Sequence, residues 1–170
     1  MNSHDGLKDA LTHLALPALL YEELRRELAR ASRSGVLISG VKIVLYTQEI
    51  TQVPLDGNHS NRQAARSDNS ELLDREYLLL AQSMQYESRR EDVCARMGDR
   101  EFLILLIGFK ASSEIFIDRL LKRWYGERDH DARLKGLSRP NVYFSFITSV
   151  SDESTLDFLN RLDLAPVHSS

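Results

Sequence analysis

The sequence predicts an α+β domain, with a central, mostly antiparallel sheet and helices packed against it. Three observations carry this. Apolar residues recur at helical spacing over residues 7–34 and 71–89. Short β-branched or alternating runs stand at 36–48, 102–107 and 142–150. The two kinds of segment alternate through 170 residues, 42% of them apolar, enough for one compact core and cramped for two.

In residues 7–34, Leu11, Leu14, Leu20, Leu24, Leu28 and Ala31 form the apolar stripe, and Glu22, Glu23, Arg25, Arg26, Glu27 and Arg30 the polar face. Pro17 divides this stretch into a short lead-in and a helix, since proline suits a first helical turn. Gly35 stops the helix. Residues 36–48, with Val41, Ile43, Val44, Leu45 and Tyr46, read as a buried strand.

From 47 to 70 the composition turns to Asn, Ser, Gln and Asp with Pro54 and Gly57, which reads as a long flexible insertion. Residues 71–89 return to a helix, with Leu72, Leu73, Leu79, Leu80 and Met84 for its buried face. A turn and a strand follow, then a hairpin tip at Asp99-Arg100 and a strand at 102–107. Ser112 and Ser113 are N-cap candidates for a helix to about Tyr125, with Ile115, Phe116, Leu120 and Trp124 apolar. Residues 126–140 are charged and turn-rich. Residues 142–150 alternate as a strand, Val142, Phe144, Phe146 and Thr148 against Tyr143, Ser145, Ile147 and Ser149. A last helix begins between 151 and 155 and ends near Leu164.

Charged residues make up 28% of the chain and nearly cancel, leaving net −3. This is no electrostatic footprint for duplex nucleic acid or an anionic membrane. No apolar stretch has the ~18 residues needed to span a bilayer, and the first residues lack the blocks of a signal peptide. The single cysteine, Cys94, excludes an intrachain disulfide. A cytoplasmic location is the expectation. The five histidines show no ligand spacing, and the sequence holds no Gly-rich phosphate loop, no Ser/His/Asp order and no zinc spacing. Arg128, Arg133, Lys135 and Arg139 read as a solvated loop. Trp124 and Tyr125 end a helix, either as core and edge packing or as part of a docking surface.

One stretch carries more. Arg89-Arg90-Glu91-Asp92 is followed, after five residues, by Gly98-Asp99-Arg100-Glu101-Phe102. This resembles the signature hairpin of the GGDEF (diguanylate cyclase) family, whose pattern is Arg-x-x-Asp, five residues, then Gly-Gly-Asp/Glu-Glu-Phe. Four further anchors stand at family spacing. Asp9-Ala10-Leu11-Thr12-His13-Leu14 is similar to the Asp-x-Leu-Thr-Gly-Leu opening, with His13 for glycine. The helix near 22–31 and the strand at 41–48 follow. Asp74 stands where the family has the aspartate of a Gly-Asp pair, with Leu73 for the glycine. Val142-Tyr143-Phe144-Ser145-Phe146-Ile147 looks like the family's Val-Thr-x-Ser-Ile-Gly strand. The resemblance covers about residues 7–162. It implies a single degenerate GGDEF domain over 1–170, with a nucleotidyl-cyclase-like fold and a ferredoxin-like core.

The resemblance also implies that catalysis is lost. Active members condense two GTP molecules with hard cations held by carboxylates, from an Asp-x-Asp segment of the first strand and from the third hairpin residue. Here the strand reads Ile43-Val44-Leu45-Tyr46-Thr47, and the third position is Arg100. A guanidinium cannot ligate magnesium, and two unit charges about 4 Å apart at an effective dielectric of ~20 interact by roughly 4 kcal/mol. Asp99 replaces the second glycine and would face phosphates. Glu101 survives alone. No catalytic residue, metal site or cofactor is therefore expected, and the chain is read as no enzyme.

Arg89 and Asp92 match the family's inhibitory site, which binds cyclic di-GMP, and Arg119 stands close to a second arginine of that site. Arginine offers a planar fork to the O6/N7 edge of guanine, and an aspartate accepts from N1–H and the amino group. One such contact is worth ~1–3 kcal/mol, while a micromolar complex needs ~8 kcal/mol, so Arg119, another subunit or a self-stacked ligand must contribute. The leading expectation is an inactive receptor for cyclic di-GMP that relays to an unidentified protein partner, in biofilm or related second-messenger control, with homodimerisation compatible. It expects no nucleic acid and no direct membrane insertion. The alternatives are a purely structural or dimerisation module without nucleotide binding, and residual GTP binding at the old active site.

Overall fold

The computed structural model describes residues 7–46, 59–108 and 112–170, with side chains described for all of these but 59–69 and 112. Pro17 opens helix α1 (Pro17–Ser34), and Gly35, at φ 71°, ends it by donating its N–H to the Ala31 carbonyl. Both local signals act as expected. Strand β1 (Ile38–Tyr46) follows. Of the expected insertion, residues 47–58 lie outside the described residues. Residues 59–70 do not form a loop: helix α2 runs His59–Glu87. Their polarity hid a run of good helix formers, Arg62-Gln63-Ala64-Ala65-Arg66.

The hairpin of β2 (Val93–Arg96) and β3 (Glu101–Ile107) comes next, then α3 (Ser112–His130), β4 (Asn141–Thr148), α4 (Thr155–Asp163) and a short β5 (His168–Ser169). Helix α3 passes Tyr125 by more than a turn, which places Trp124 fully in the core. The Ser113 hydroxyl is buried and, among the described residues, has no hydrogen-bond partner and caps nothing. Ser154 caps α4, its Oγ accepting from the Asp157 N–H at 3.1 Å.

The five strands lie in the order β2-β3-β1-β4-β5, every neighbour antiparallel. This is an α+β fold in which β1 and β3 sit centrally, as a ferredoxin-like core requires. Alternation splits the core into two layers. Val41, Ile43, Leu45, Phe102, Ile104 and Leu106 meet α2 and α3 through Leu80, Met84, Leu120 and Trp124. Leu103, Leu105 and Ala95 meet α1 and α4 through Leu20, Leu24, Leu28, Phe158 and Leu162. Gly40 lets α4 approach: a Cβ there would stand 2.8 Å from the Phe158 ring.

The lead-in folds back on itself. Asp9 accepts from the Thr12 N–H (2.8 Å) and hydroxyl (2.6 Å), and His13, at φ 57°, occupies the left-handed turn position. Ala15 then bridges β2, its N–H donating to the Cys94 carbonyl. One expectation is corrected outright. Arg128 is not a solvated loop residue but is buried between α2 and α3, donating to Glu76 and to the carbonyls of Leu137 and Ser138.

Candidate functional site

Helix α2 ends at Glu87, and the chain turns through Ser88–Asp92 into β2. Asp92 builds that turn. Its Oδ2 accepts from the Arg89 N–H at 2.8 Å, and its Oδ1 accepts from the Ile107 N–H at 3.0 Å, tying the turn to the last residue of β3. Burial pushes the Asp92 carboxyl above its ordinary value, against the lowering effect of those two hydrogen bonds. A carboxylate offers about four lone-pair sites, of which these two bonds use two. The Arg89 side chain is exposed and lies over Gly108, its Nη1 4.0 Å from where a Cβ would stand. Among the described residues Arg89 makes no ion pair.

Arg119 reaches the same corner from α3. Its Nη2 donates to the Glu87 carbonyl at 3.0 Å, and its Nε pairs with Glu87 Oε2 at 3.1 Å. Arg119 is thus held at Glu87, which stands two residues before Arg89 in the chain. The structure adds neighbours that sequence reasoning missed. Glu87 Oε1 also accepts from Arg123 Nε at 2.6 Å, and the Arg123 guanidinium lies over the Tyr86 ring, 3.4 Å from its centroid. The signal for Arg123 was its i,i+4 spacing from Arg119 on one helix face. Nothing local marked Glu87 as their common partner.

Gly98, Asp99 and Arg100 form the β2–β3 tip, and Glu101 and Phe102 begin β3. Gly98, Asp99 and Arg100 are exposed, while Phe102 is fully buried, 6.0 Å from the Tyr77 ring. The Arg100 carbonyl accepts from the Leu45 N–H at 2.9 Å, so the tip abuts the end of β1 that carries no carboxylate. Glu101 faces a cation: Lys42 Nζ lies 3.7 Å away and pairs with Asp163 at 2.8 Å. Burial would lower the Lys42 pKa, but Asp163 and Glu101 outweigh it and hold it above its ordinary value. Arg96 braces the hairpin from below, donating to the Gly98 carbonyl and to Asp9 at 3.2 Å each. Among the described residues no three His, Cys, Asp or Glu side chains converge as a metal-ligand set, and no helix is long and apolar enough to cross a membrane.

The turn thus sets the exposed Arg89 close in sequence to the anchored Asp92 carboxylate, with Arg119 held at Glu87 just before it. An arginine fork and a carboxylate are the donor and acceptor types that suit the edge of a purine, and the fork suits an anion. The architecture that carries it is the fold of GGDEF domains. Among solved structures the chain is similar to diguanylate cyclase SiaD in complex with its activator SiaC, from Pseudomonas aeruginosa, at 24% identity and TM-score 0.70; the match covers 94% of this chain and 56% of that one. It is also similar to the GGDEF domain of DgcB from Caulobacter crescentus in complex with c-di-GMP, at 19% identity and TM-score 0.68 over 94% and 87% of the two chains. The FimX GGDEF domain from Pseudomonas aeruginosa gives 17% identity and TM-score 0.67 over 94% and 90%. Neither a protein-family model nor a curated protein matches the sequence. At these identities the likeness is one of fold.

Proposed function

We propose that this chain is a catalytically inactive GGDEF domain that binds cyclic di-GMP through Arg89, Asp92 and Arg119 and relays its occupancy to a protein partner. The observation that supports the reading is the Ser88–Asp92 turn after α2, where the Asp92 carboxylate is anchored by two backbone N–H groups beside the exposed Arg89, and where Arg119 binds Glu87 just before the turn. An anchored acceptor beside an exposed arginine is organised before any ligand arrives, which lowers the cost of binding. Loss of cyclase chemistry is supported by residue identity. Arg100 stands at the third hairpin position, β1 ends without a carboxylate, and Glu101 pairs with Lys42.

One observation favours a second reading, a docking module without nucleotide binding: the hydrogen bonds of Asp92 are also what a purely structural turn would need. Calorimetric titration separates the two. Cyclic di-GMP is expected to bind the wild-type chain, and Arg89→Ala, which leaves the Asp92 hydrogen bonds to backbone intact, is expected to weaken binding at least tenfold. Equal affinity of the variant would remove the site assignment. Silence of the wild type towards cyclic di-GMP would favour the docking module, and a magnesium-dependent response to GTP would reinstate the old active site.

A further inference from the structure

Glu87 is an acidic residue at the C-terminal end of a helix, where the helix dipole disfavours negative charge. Its carboxylate is largely shielded, with 14% of the side chain exposed, against 51% for Arg119 and 29% for Arg123. One oxygen takes Arg119 Nε and the other Arg123 Nε, and Arg119 Nη2 is spent on the Glu87 carbonyl. The Nε edges of Arg119 and Arg123 are therefore occupied by Glu87, which stands just before the Arg89–Asp92 turn in the chain.

We infer that Glu87 is a built-in competitor for the ligand: its carboxylate holds Arg119 and Arg123 in the place that a phosphodiester of the ligand takes, and binding proceeds by exchange of one anion for the other. This rests on the proposed nucleotide site and adds its regulation. A carboxylate and a phosphate present the same paired acceptors to an arginine fork, so each can replace the other without moving α3. The exchange leaves Glu87 without its cations at the end of α2, so occupancy bears directly on the last turn of that helix.

The sign of the effect separates a competitor from a brace. Were Glu87 only holding α3 to α2, removing its charge would loosen Arg119 and weaken binding. For a competitor, removal frees the Nε edges of both arginines, while Arg119 keeps the Glu87 carbonyl and Arg123 keeps Glu127 and the Tyr86 ring. Calorimetry with cyclic di-GMP on the whole chain is expected to show Glu87→Gln binding roughly three- to tenfold more tightly than wild type, the scale of one or two partly exposed ion pairs. Glu87→Asp, which keeps the charge and withdraws it by one methylene, serves if the first variant melts early, and is expected to tighten binding by less. A wild type that binds while both variants bind equally or more weakly overturns the competitor and leaves the receptor reading intact. If neither wild type nor Glu87→Gln binds, the receptor reading falls and the competitor with it.

Discussion

Arg128 on α3 and Glu76 on α2 form an ion pair sealed between the two helices, Nε to Oε1 at 2.7 Å, with 2% and 6% of their side chains exposed. The remaining guanidinium edges donate to the carbonyls of Leu137 at 3.2 Å and Ser138 at 2.8 Å, so one arginine fastens α2, α3 and the loop before β4. Burial pushes the Glu76 carboxyl above its ordinary value, and Arg128 is what opposes this.

Removing one partner of such a pair leaves a buried charge uncompensated, at about 3–5 kcal/mol. Arg128→Ala is therefore expected to lower the unfolding free energy by about that amount in urea titration. Replacing both, Glu76→Leu with Arg128→Met, is expected to recover only part, because the two carbonyls still lose their donor. A loss under about 1 kcal/mol for the single variant would contradict the sealed pair.

Gly40 is the contact point of α4 on the sheet. Gly40→Ala puts a Cβ 2.8 Å from two atoms of the Phe158 ring and 3.3 Å from Leu162, overpacking that is expected to cost about 1–3 kcal/mol. Adding Phe158→Leu should relieve part of the cost, so that a double-mutant cycle by calorimetry gives a favourable coupling. Simple additivity would show that the ring is free to move aside.

The Asp9 carboxyl supplies the acid sensitivity of the lead-in turn. Burial alone would raise its pKa, but the Thr12 hydroxyl and N–H and the Arg96 guanidinium outweigh this and hold it below the ordinary 3.8. A depressed folded-state pKa contributes stability that is present above the unfolded value and lost as pH falls through the folded one. Asp9→Asn should accordingly melt below wild type at pH 7, and the gap should close as pH is lowered from ordinary carboxylate values through the folded pKa. A gap that persists or widens in acid would place the stabilisation elsewhere.

Cys94 lies in β2, half-buried as a residue, with its Sγ 3.0 Å from the Ser88 hydroxyl. Burial pushes the thiol up to about 12. A thiol of that kind has almost no thiolate at pH 8. The folded chain is expected to resist a thiol reagent there, and to react fully once denatured; rapid labelling of the native chain would overturn this.

Much of the fold was legible because its signals are local. Pro17 and Gly35 act within one turn of α1, alternation in β4 sorts Val142 and Phe144 from Tyr143 and Ser145, and the run after Glu101 is apolar on both faces because β3 is buried on both. The start of α2 was not legible. Residues 59–70 lack an apolar stripe, and a helix already nucleated extends through polar helix formers at little cost. The two-residue strand β5 carried no periodicity to read, and it exists because β4 offers Tyr143 and Phe144 as partners.

The candidate site divides the same way. Sequence alone determined which chemical groups were present: Arg89 and Asp92 at the spacing of one turn, Arg100 at the third hairpin position, and no carboxylate at the end of β1. Only the tertiary structure decided what each group faces. Arg119 meets Glu87 across 32 residues, Lys42 meets Asp163 across 121, and Arg128 finds Glu76 across 52. Hydrogen bonds within a turn follow from neighbours in the chain, whereas the partner of a long charged side chain is set by which helix the core packs beside it.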